Sequence, residues 1–154
     1  MPAALKSSEL FLGRMLLSAI FLLSGTMKLM HWEQTAGTME AKGMPAVPFL
    51  LLMAVLFELG GGLSVLLGLK ARWGAAALII FLIPATLVFH NFWTQHGQEM
   101  QNQMQHFMKN LTIMGGLTVL AGAGAGAYSL DAVLARKRAQ REGLATDHAR
   151  AAMA

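Results

Sequence analysis

The chain contains no cysteine among its 154 residues, and only 13% of its residues are charged. The lack of thiols excludes disulfide bonds, thiol redox chemistry and the zinc or iron–sulfur sites that need cysteine ligands. The low charge sets the chain apart from soluble domains, in which roughly 25% of residues are charged. Because 55% of the residues are hydrophobic and the mean hydropathy is +0.51, the composition predicts an integral membrane protein.

Four long apolar stretches, separated by more polar ones, predict an all-α, four-helix transmembrane bundle over residues 1–127. The expected spans are 10–30, 46–69, 73–93 and 107–127. Each supplies the roughly 20 apolar residues that a helix needs to cross the hydrocarbon core. The segment 31–44 is expected to be a polar connection. Residues 128–154 are expected to form a basic cytoplasmic tail, as an amphipathic or frayed helix at the membrane surface.

Positive charge is unevenly divided between the two sides of this bundle. Eight basic residues fall on the side that holds both termini, namely Lys6, Lys70, Arg72, Arg136, Lys137, Arg138, Arg141 and Arg150. On the other side, only Lys42 lies clear of the spans. The positive-inside rule therefore predicts that both termini are cytoplasmic. The basic tail contains no aromatic residue from 136 to 150, which argues against a nucleic-acid partner.

Small residues recur at steps of four on the second and fourth expected spans. They are Gly60, Ser64 and Gly68 on the second, and Thr118, Gly122 and Gly126 on the fourth. Small residues let membrane helices approach closely, so these positions predict helix–helix contacts. The alternative is that small residues are simply common in membrane helices.

The search for a function centres on Glu58, an acid near the middle of the second span. An isolated carboxylate is costly in hydrocarbon, so Glu58 must be neutral, paired or turned to a wet cavity. Helical side chains lean toward the N-terminus of their own helix, which aims Glu58 outward and both Lys28 and His90 inward. Roughly 15 Å of helix rise separates Lys28 from Glu58, so we expect a water or a ligand to bridge them. The pattern predicts a ligand-binding polar pocket in the outer half of the bundle, lined by Lys28, Glu58, His90, Asn91 and Lys109.

Each of these residues also has a structural interpretation. Glu58 could belong to an ion pair, or be a protonated acid bonded to a neighbouring helix, with no ligand. His90 could be an interfacial residue, and Lys28 and Lys109 could be anchors that reach the membrane surface. Arg14 is expected to reach the cytoplasmic side or to pack between helices.

The polar connection between the third and fourth spans offers a weaker alternative site. Met100, Met104 and Met108 follow one another at steps of four, with His96 and His106 nearby. Thioether and imidazole ligands together suit Cu(I). However, the twelve methionines are scattered along the chain, and methionine commonly fills irregular apolar gaps. We therefore assign no metal and keep a copper site as an alternative only.

Short motifs follow one another along the four expected spans. They are Gly13-Arg14, then Phe21-Leu22-Leu23-Ser24-Gly25 with Lys28, Glu58-Leu59-Gly60-Gly61 with Gly68, His90-Asn91-Phe92-Trp93, and His106-Phe107-Met108-Lys109-Asn110-Leu111. In this order, over roughly residues 10–127, they resemble the DoxX family of small four-span bacterial membrane proteins. The resemblance implies a four-helix bundle in the bacterial inner membrane. The family takes its name from a subunit associated with a terminal quinol oxidase and thiosulfate:quinone oxidoreductase, and other members are linked to membrane redox complexes.

From this resemblance we expect a redox-associated, quinone-linked membrane subunit. In this hypothesis His90 donates a hydrogen bond to a quinone carbonyl, Glu58 exchanges its proton and Lys28 tunes the pKa of that carboxylate. Glu58 and His90 are thus the candidate catalytic residues. The sequence carries no haem, flavin or iron–sulfur motif, so independent catalysis is not assigned and no intrinsic cofactor is expected besides a quinone.

Two other functions stay open at this point. The first is a non-catalytic assembly or stabilising partner of a larger membrane complex, or a homo-oligomer, held through the small-residue positions. The second is a handler of small solutes or metals.

Overall fold

The computed structural model describes residues 7–152, and the side chains of residues 7–145. This range contains helices and no strand. The helices are α1 (Ser7–Met30), α2 (Trp32–Ala41), α3 (Val47–Leu67), α4 (Ala71–Phe89), α5 (Gly97–Ala123) and α6 (Leu130–Ala152), with a 3-10 turn at Phe92–Thr94. The prediction of an all-α membrane protein is confirmed. Two of the eight basic positions used to orient the chain, Lys6 and the side chain of Arg150, lie outside the described residues.

Four of these helices form the bundle. α3 packs against both α1 and α4, and α5 packs against α4 and, more lightly, against α1. The order around the bundle is therefore α1, α3, α4, α5. The short helix α2 lies against α3 and α1, whereas α6 meets the bundle at its start, where the backbone N–H of Asp131 donates to the carbonyl of Gly68 over 3.0 Å. We call the two ends of the bundle the α2 end and the α6 end.

Within the described part of the chain, three helices are long and apolar enough to cross a membrane. They are α1, α3, and α4 when it is counted through the 3-10 turn to Thr94. Large apolar side chains such as Leu16, Leu23 and Ile80 are exposed on their outer faces. The first ten of the 27 residues of α5 form the polar segment 97–106, and whether α5 is the fourth span stays a prediction.

Helix boundaries agree best with the expected spans where apolar runs end in glycine or charge. α1 and α3 match the spans 10–30 and 46–69 to within three residues at each end. α4 ends at Phe89, four residues before the expected end, because His90 leaves helical geometry with φ −123° and ψ 41°. α5 begins ten residues before the expected start at 107, because its glutamine and methionine residues favour a helix.

The segment 31–44, expected only as a polar connection, contains the ten-residue helix α2. Trp32, Ala36 and Met39 are spaced so that they share one face of this helix. That face packs on Val47 and Leu51 at the start of α3. The apolar spacing in this short segment was the signal for α2.

Gly61 and Gly62 make the close contacts of α3, and Gly60 does not. A Cβ atom on Gly61 would lie 2.7 Å from Cγ of Leu78 in α4, and one on Gly62 would lie 3.0 Å from Cδ2 of Leu22 in α1. Gly60 is exposed, and a Cβ atom there would meet nothing within 4 Å. The expected helix contact is therefore wrong at Gly60, because that position faces away from both neighbouring helices.

The other expected contact positions divide in the same way. Ser64 packs against Gly74 of α4, Gly68 packs against Arg14 and Ser129, and Gly126 packs against Leu10. By contrast, a Cβ atom on Gly122 would meet nothing within 4 Å, and Thr118 is exposed and bonds only to the carbonyl of Met114 in its own helix. The step of four marked a contact face on α3 in part, whereas on α5 it marked two exposed positions, Thr118 and Gly122.

Arg14 is buried at the α6 end, with 1% of its surface exposed. Its Nη2 donates to the backbone carbonyl of Tyr128, and its guanidinium carbon lies 5.7 Å from the centre of the Phe11 ring. Among the described residues, Nε and Nη1 have no hydrogen-bond partner. Arg14 therefore packs between elements, joining α1 to the segment before α6.

The glycine contacts of α3 predict opposite effects for two adjacent substitutions. Gly61→Ala should lower the free energy of unfolding by about 1–3 kcal/mol, because the buried Leu78 side chain cannot move away from the added methyl group. Gly60→Ala, the matched control, should leave that free energy unchanged or raise it by up to about 1 kcal/mol. Unfolding in mixed detergent micelles measures both. Equal effects of the two substitutions would contradict the packing of α3 described above.

Candidate ligand-binding cavity

A cavity of about 770 Å³ lies toward the α2 end, between α1, α3, α4 and α5. Its wall is mostly apolar, with aromatic side chains such as Phe57 and Phe81. The polar residues on the wall are Ser24, Lys28, Gln34, Thr35, Thr38, Glu58, His90, Lys109 and Asn110. An apolar chamber with a few polar groups is typical of a small-molecule site.

The cavity exists because α1 and α5 meet closely at one end of the bundle only. Near the α6 end a Cβ atom on Gly116 would lie 3.0 Å from Leu17, and one on Gly126 would lie 3.0 Å from Leu10. Toward the α2 end, larger residues of both helices line the cavity, including Lys28 of α1 and Lys109 of α5. The distribution of glycine along α5 thus closes one half of the bundle and leaves room in the other.

Lys28 and Glu58 form a direct ion pair on the wall of this cavity. Nζ of Lys28 lies 2.9 Å from Oε2 and 3.0 Å from Oε1 of Glu58, and the two side chains are 25% and 6% exposed. Oγ of Ser24 donates to Oε1 over 2.9 Å and accepts from Nζ over 2.6 Å. A buried carboxylate remains ionised when a cation and a hydrogen-bond donor lie next to it, and Lys28 and Ser24 supply these to Glu58.

The local sequence of α1 explains why this helix can contact the Glu58 carboxylate. Ser24 and Lys28 are four residues apart, so they share one face of the helix. Between them, a Cβ atom on Gly25 would lie 2.8 Å from Leu59 and 3.3 Å from Cβ of Glu58. The missing side chain at Gly25 therefore lets α3 approach α1 beside the acid.

The expected bridging water or ligand between Lys28 and Glu58 is wrong, because the two side chains touch. Glu58 lies eleven residues from the start of α3, about 16 Å of helix rise, whereas Lys28 is two residues from the end of α1. The contact requires α3 to extend beyond α1 at this end. α2 covers that extension, and the sequence-based alignment of the two helices had omitted α2.

His90 is held in one tautomer by residues of α5. Its Nδ1 lies 2.8 Å from Oε1 of Gln103, and Nε2 of Gln103 donates to Glu99 over 2.6 Å. Because a carboxylate can only accept, the Gln103 amide must turn its oxygen to His90, which then carries its proton on Nδ1. Nε2 of the neutral ring is therefore a hydrogen-bond acceptor, and it has no partner among the described residues.

His106 stacks on His90, with ring centres 5.1 Å apart and planes 20° apart. Its Nδ1 lies 3.1 Å from Nζ of Lys109, which can only donate. The pKa of His106 is lowered, first by desolvation of the ring and then by its electrostatic interactions with Lys109 and His90, while Glu99 acts in the opposite sense. His106 is otherwise exposed, so solvent moderates this shift.

The structure places Lys28, Glu58, His90 and Lys109 on the wall of one cavity, and it does not place Asn91 there. Oδ1 of Asn91 is buried without a partner among the described residues. Ligand binding by any of these residues stays a prediction.

Five polar wall residues were not predicted as site residues from the sequence, namely Ser24, Gln34, Thr35, Thr38 and Asn110. Ser24 could have been found from its spacing of four residues before Lys28. Asn110, which follows Lys109, is buried and donates to Oγ1 of Thr86 over 3.0 Å. That bond joins α4 to α5 beside the cavity.

The alternative of a copper site stays a prediction. In the part of the chain that the structure describes, no group of three or more His, Asp or Glu side chains could hold a metal ion. His96 precedes α5 and is exposed, while His106 is paired with His90. Met100 and Met104 are also exposed.

The ion pair predicts coupled effects of substituting its two members. Lys28→Met and Glu58→Gln should each lower the free energy of unfolding, and the double variant should lose less than the two losses together. For residues in one network the expected coupling is about 0.5–3 kcal/mol, measurable by unfolding in mixed micelles. Lys42→Met, at an exposed lysine, serves as the control and should show no coupling with Glu58→Gln. Additive effects at Lys28 and Glu58 would contradict a direct pair.

The part of the chain that matches a known protein family includes both helices of the ion pair. A family model described as DoxX matches residues 9–91. This range is shorter than the expected 10–127 and spans α1 to α4. It holds Ser24, Lys28, Glu58 and His90, whereas Lys109 of α5 lies beyond it.

Several curated relatives match most of the chain. Inner membrane protein YqjF of Escherichia coli (strain K12) is 35% identical over 133 residues, which are 86% of this chain and 97% of the relative. Inner membrane protein YphA of the same organism is 30% identical over 79% of this chain and 87% of its own length. Uncharacterized membrane protein Rv3486 of Mycobacterium tuberculosis (strain ATCC 25618 / H37Rv) is 31% identical over 80% of each chain. No solved structure matches the chain.

Proposed function

The chain belongs to the DoxX family of integral inner-membrane proteins, as its motifs predict, and we propose that it binds a membrane-soluble quinol in the cavity beside Lys28 and Glu58. In this role it is a redox-associated subunit, and the electron acceptor belongs to a partner complex. The observation that carries the proposal is the ion pair on the wall of an otherwise apolar cavity of about 770 Å³.

The size and lining of the cavity support a ligand of this class. Small-molecule sites commonly measure roughly 300–1,000 Å³, and this cavity lies within that range. A quinol has a flat ring with two oxygen atoms and an apolar tail. Its ring suits the aromatic wall at Phe57 and Phe81, and its tail suits the aliphatic side chains around them.

The tautomer of His90 favours the reduced form of such a ligand. The hypothesis from the sequence, a bond from His90 to a quinone carbonyl, needs a donor at Nε2. With Nδ1 donating to Gln103, the neutral ring offers only an acceptor at Nε2, which suits the hydroxyl of a quinol. A quinone carbonyl can only accept, so it would find no donor at Nε2 of the neutral ring.

Glu58 is suited to accept a proton from a bound hydroxyl. Its carboxylate is kept ionised by Lys28 and Ser24, and it lies on the same wall as His90. When the carboxylate takes up a proton, the Lys28 ammonium is left as an unpaired cation, which favours release of that proton afterwards. The pair can therefore take up a proton and release it again.

A second candidate function is assembly with another membrane protein. Gly115 and Gly122 are exposed on α5, and a Cβ atom on either would meet nothing within 4 Å. Small residues on a lipid-facing surface allow another helix to approach closely. This observation favours a stabilising role for the chain in a larger complex or a homo-oligomer.

Quinol binding can be measured with the purified protein and a short-chain ubiquinol analogue, with its oxidised quinone as the comparison. At neutral pH we expect the quinol to bind more tightly than the quinone. His90→Ala should weaken quinol binding by about three- to tenfold, the value of one hydrogen bond. Ala85→Phe, which adds a large side chain at an apolar position of the cavity wall, should abolish binding.

His96→Ala is the matched control, because His96 is exposed and does not line the cavity. It should bind the quinol as the unchanged protein does. Failure of the unchanged protein to bind either form would overturn the proposal and leave the assembly role. Binding that survives Ala85→Phe would place the ligand elsewhere.

We also propose that α5 is the fourth span and that both termini are cytoplasmic. Its 27 residues are long enough to cross, and the basic residues Lys70 and Arg72 gather at the α6 end. The chain contains no cysteine, so each introduced cysteine is the sole label site. An impermeant maleimide should label Gly37→Cys on intact spheroplasts, and Ala139→Cys only after lysis. Labelling of Ala139→Cys on intact spheroplasts would contradict this topology.

A further inference from the structure

A second cavity, of about 490 Å³, lies at the α6 end of the bundle, whereas the proposed quinol site lies toward the α2 end. It is bounded by the turn between α3 and α4, the end of α5 and the start of α6. The residues that matter for its chemistry are Lys70, Arg72, Trp73, Gly124 and Asp131. The proposed binding of a quinol makes no use of these residues.

Two cations on this wall have no side-chain partner among the residues whose side chains the structure describes. The side chains of Lys70 and Arg72 make no hydrogen bond or ion pair with any of residues 7–145. Asp131, the acid on the wall, accepts the backbone N–H of Lys70 over 3.0 Å instead. The guanidinium of Arg72 lies against the backbone of Gly124, where a Cβ atom would be 3.3 Å from Nε and Nη2. A glycine at this position therefore leaves room for the guanidinium in the cavity.

The surroundings of the cavity indicate its depth in the membrane. Trp73 is 77% exposed beside Arg72, and tryptophan is enriched where a membrane helix meets the headgroups. α6 starts at the same cavity and carries Arg136, Lys137 and Arg138 within its first three turns. A cavity with unpaired cations thus lies at the level of the lipid headgroups, on the side with most positive charge.

We propose that this second cavity binds the phosphate of an anionic phospholipid. Arginine can hold a phosphate through two parallel N–H bonds, and a lysine adds a mobile point charge. Basic pockets beside membrane helices at the cytoplasmic surface suit anionic headgroups. The acyl chains of the lipid would run along the exposed apolar face of α4, which includes Ile83 and Leu87.

The test uses the full chain in nanodiscs that contain equal amounts of phosphatidylglycerol and phosphatidylcholine, followed by native mass spectrometry. Phosphatidylglycerol should be retained preferentially. The double variant Lys70→Ala with Arg72→Ala should reduce its retention about tenfold, because two charge-assisted contacts are lost. Arg72→Lys keeps the charge but loses the planar fork, and it should give an intermediate retention.

The matched control is the double variant Arg138→Ala with Arg141→Ala, which removes the same charge from exposed positions of α6 away from the cavity. It should retain the lipid to within about twofold, since exposed distant charges are screened. An equal loss in both double variants would overturn the proposal, since attraction would then be diffuse. Equal retention of both lipids would also overturn it, as would displacement by inorganic phosphate, which would identify a free anion as the ligand.

Discussion

The ion pair between Lys28 and Glu58 is the constraint on which the arrangement of the bundle depends. A carboxylate can remain charged among apolar helices only when a cation and hydrogen-bond donors are next to it. Meeting that need places α1 and α3 in close contact at Gly25 and makes α3 extend beyond α1. The extension would expose apolar side chains, and α2 covers them. A single acid thus determines how two spans and their connection fit together.

The two ends of the bundle hold their cations in different surroundings. At the α6 end, Arg14 donates to the backbone carbonyl of Tyr128 and is enclosed by close packing. At the α2 end, Lys28 pairs with Glu58 on the wall of an open chamber, where polar side chains can meet a ligand. The first arrangement suits a structural joint and the second suits exchange of protons or ligands.

Much of this organisation could be predicted from residue pattern alone, and the limits of that prediction have physical causes. Apolar runs located the helices, and opposite helix directions brought Lys28, Glu58 and His90 toward one space. The direct pair was not predicted, because the offset of α1 and α3 along their axes depends on α2. The segment that forms α2 was predicted to be a polar connection. Gly60 was chosen over Gly61 because a step of four shows that residues share one face of a helix. It does not show whether that face packs against a neighbouring helix. The tautomer of His90 depends on Gln103 and Glu99 from a distant part of the chain, which no local pattern reveals.

The charge state of Glu58 is the most direct test of this structure, and infrared difference spectroscopy of the protein in lipid measures it. The spectrum of the unchanged protein minus that of Glu58→Gln, at neutral pH, should contain the two stretching bands of a carboxylate. It should contain no carbonyl band of a protonated acid. A protonated-acid band that disappears in Glu58→Gln would show that Glu58 is neutral, and would contradict the ion pair with Lys28.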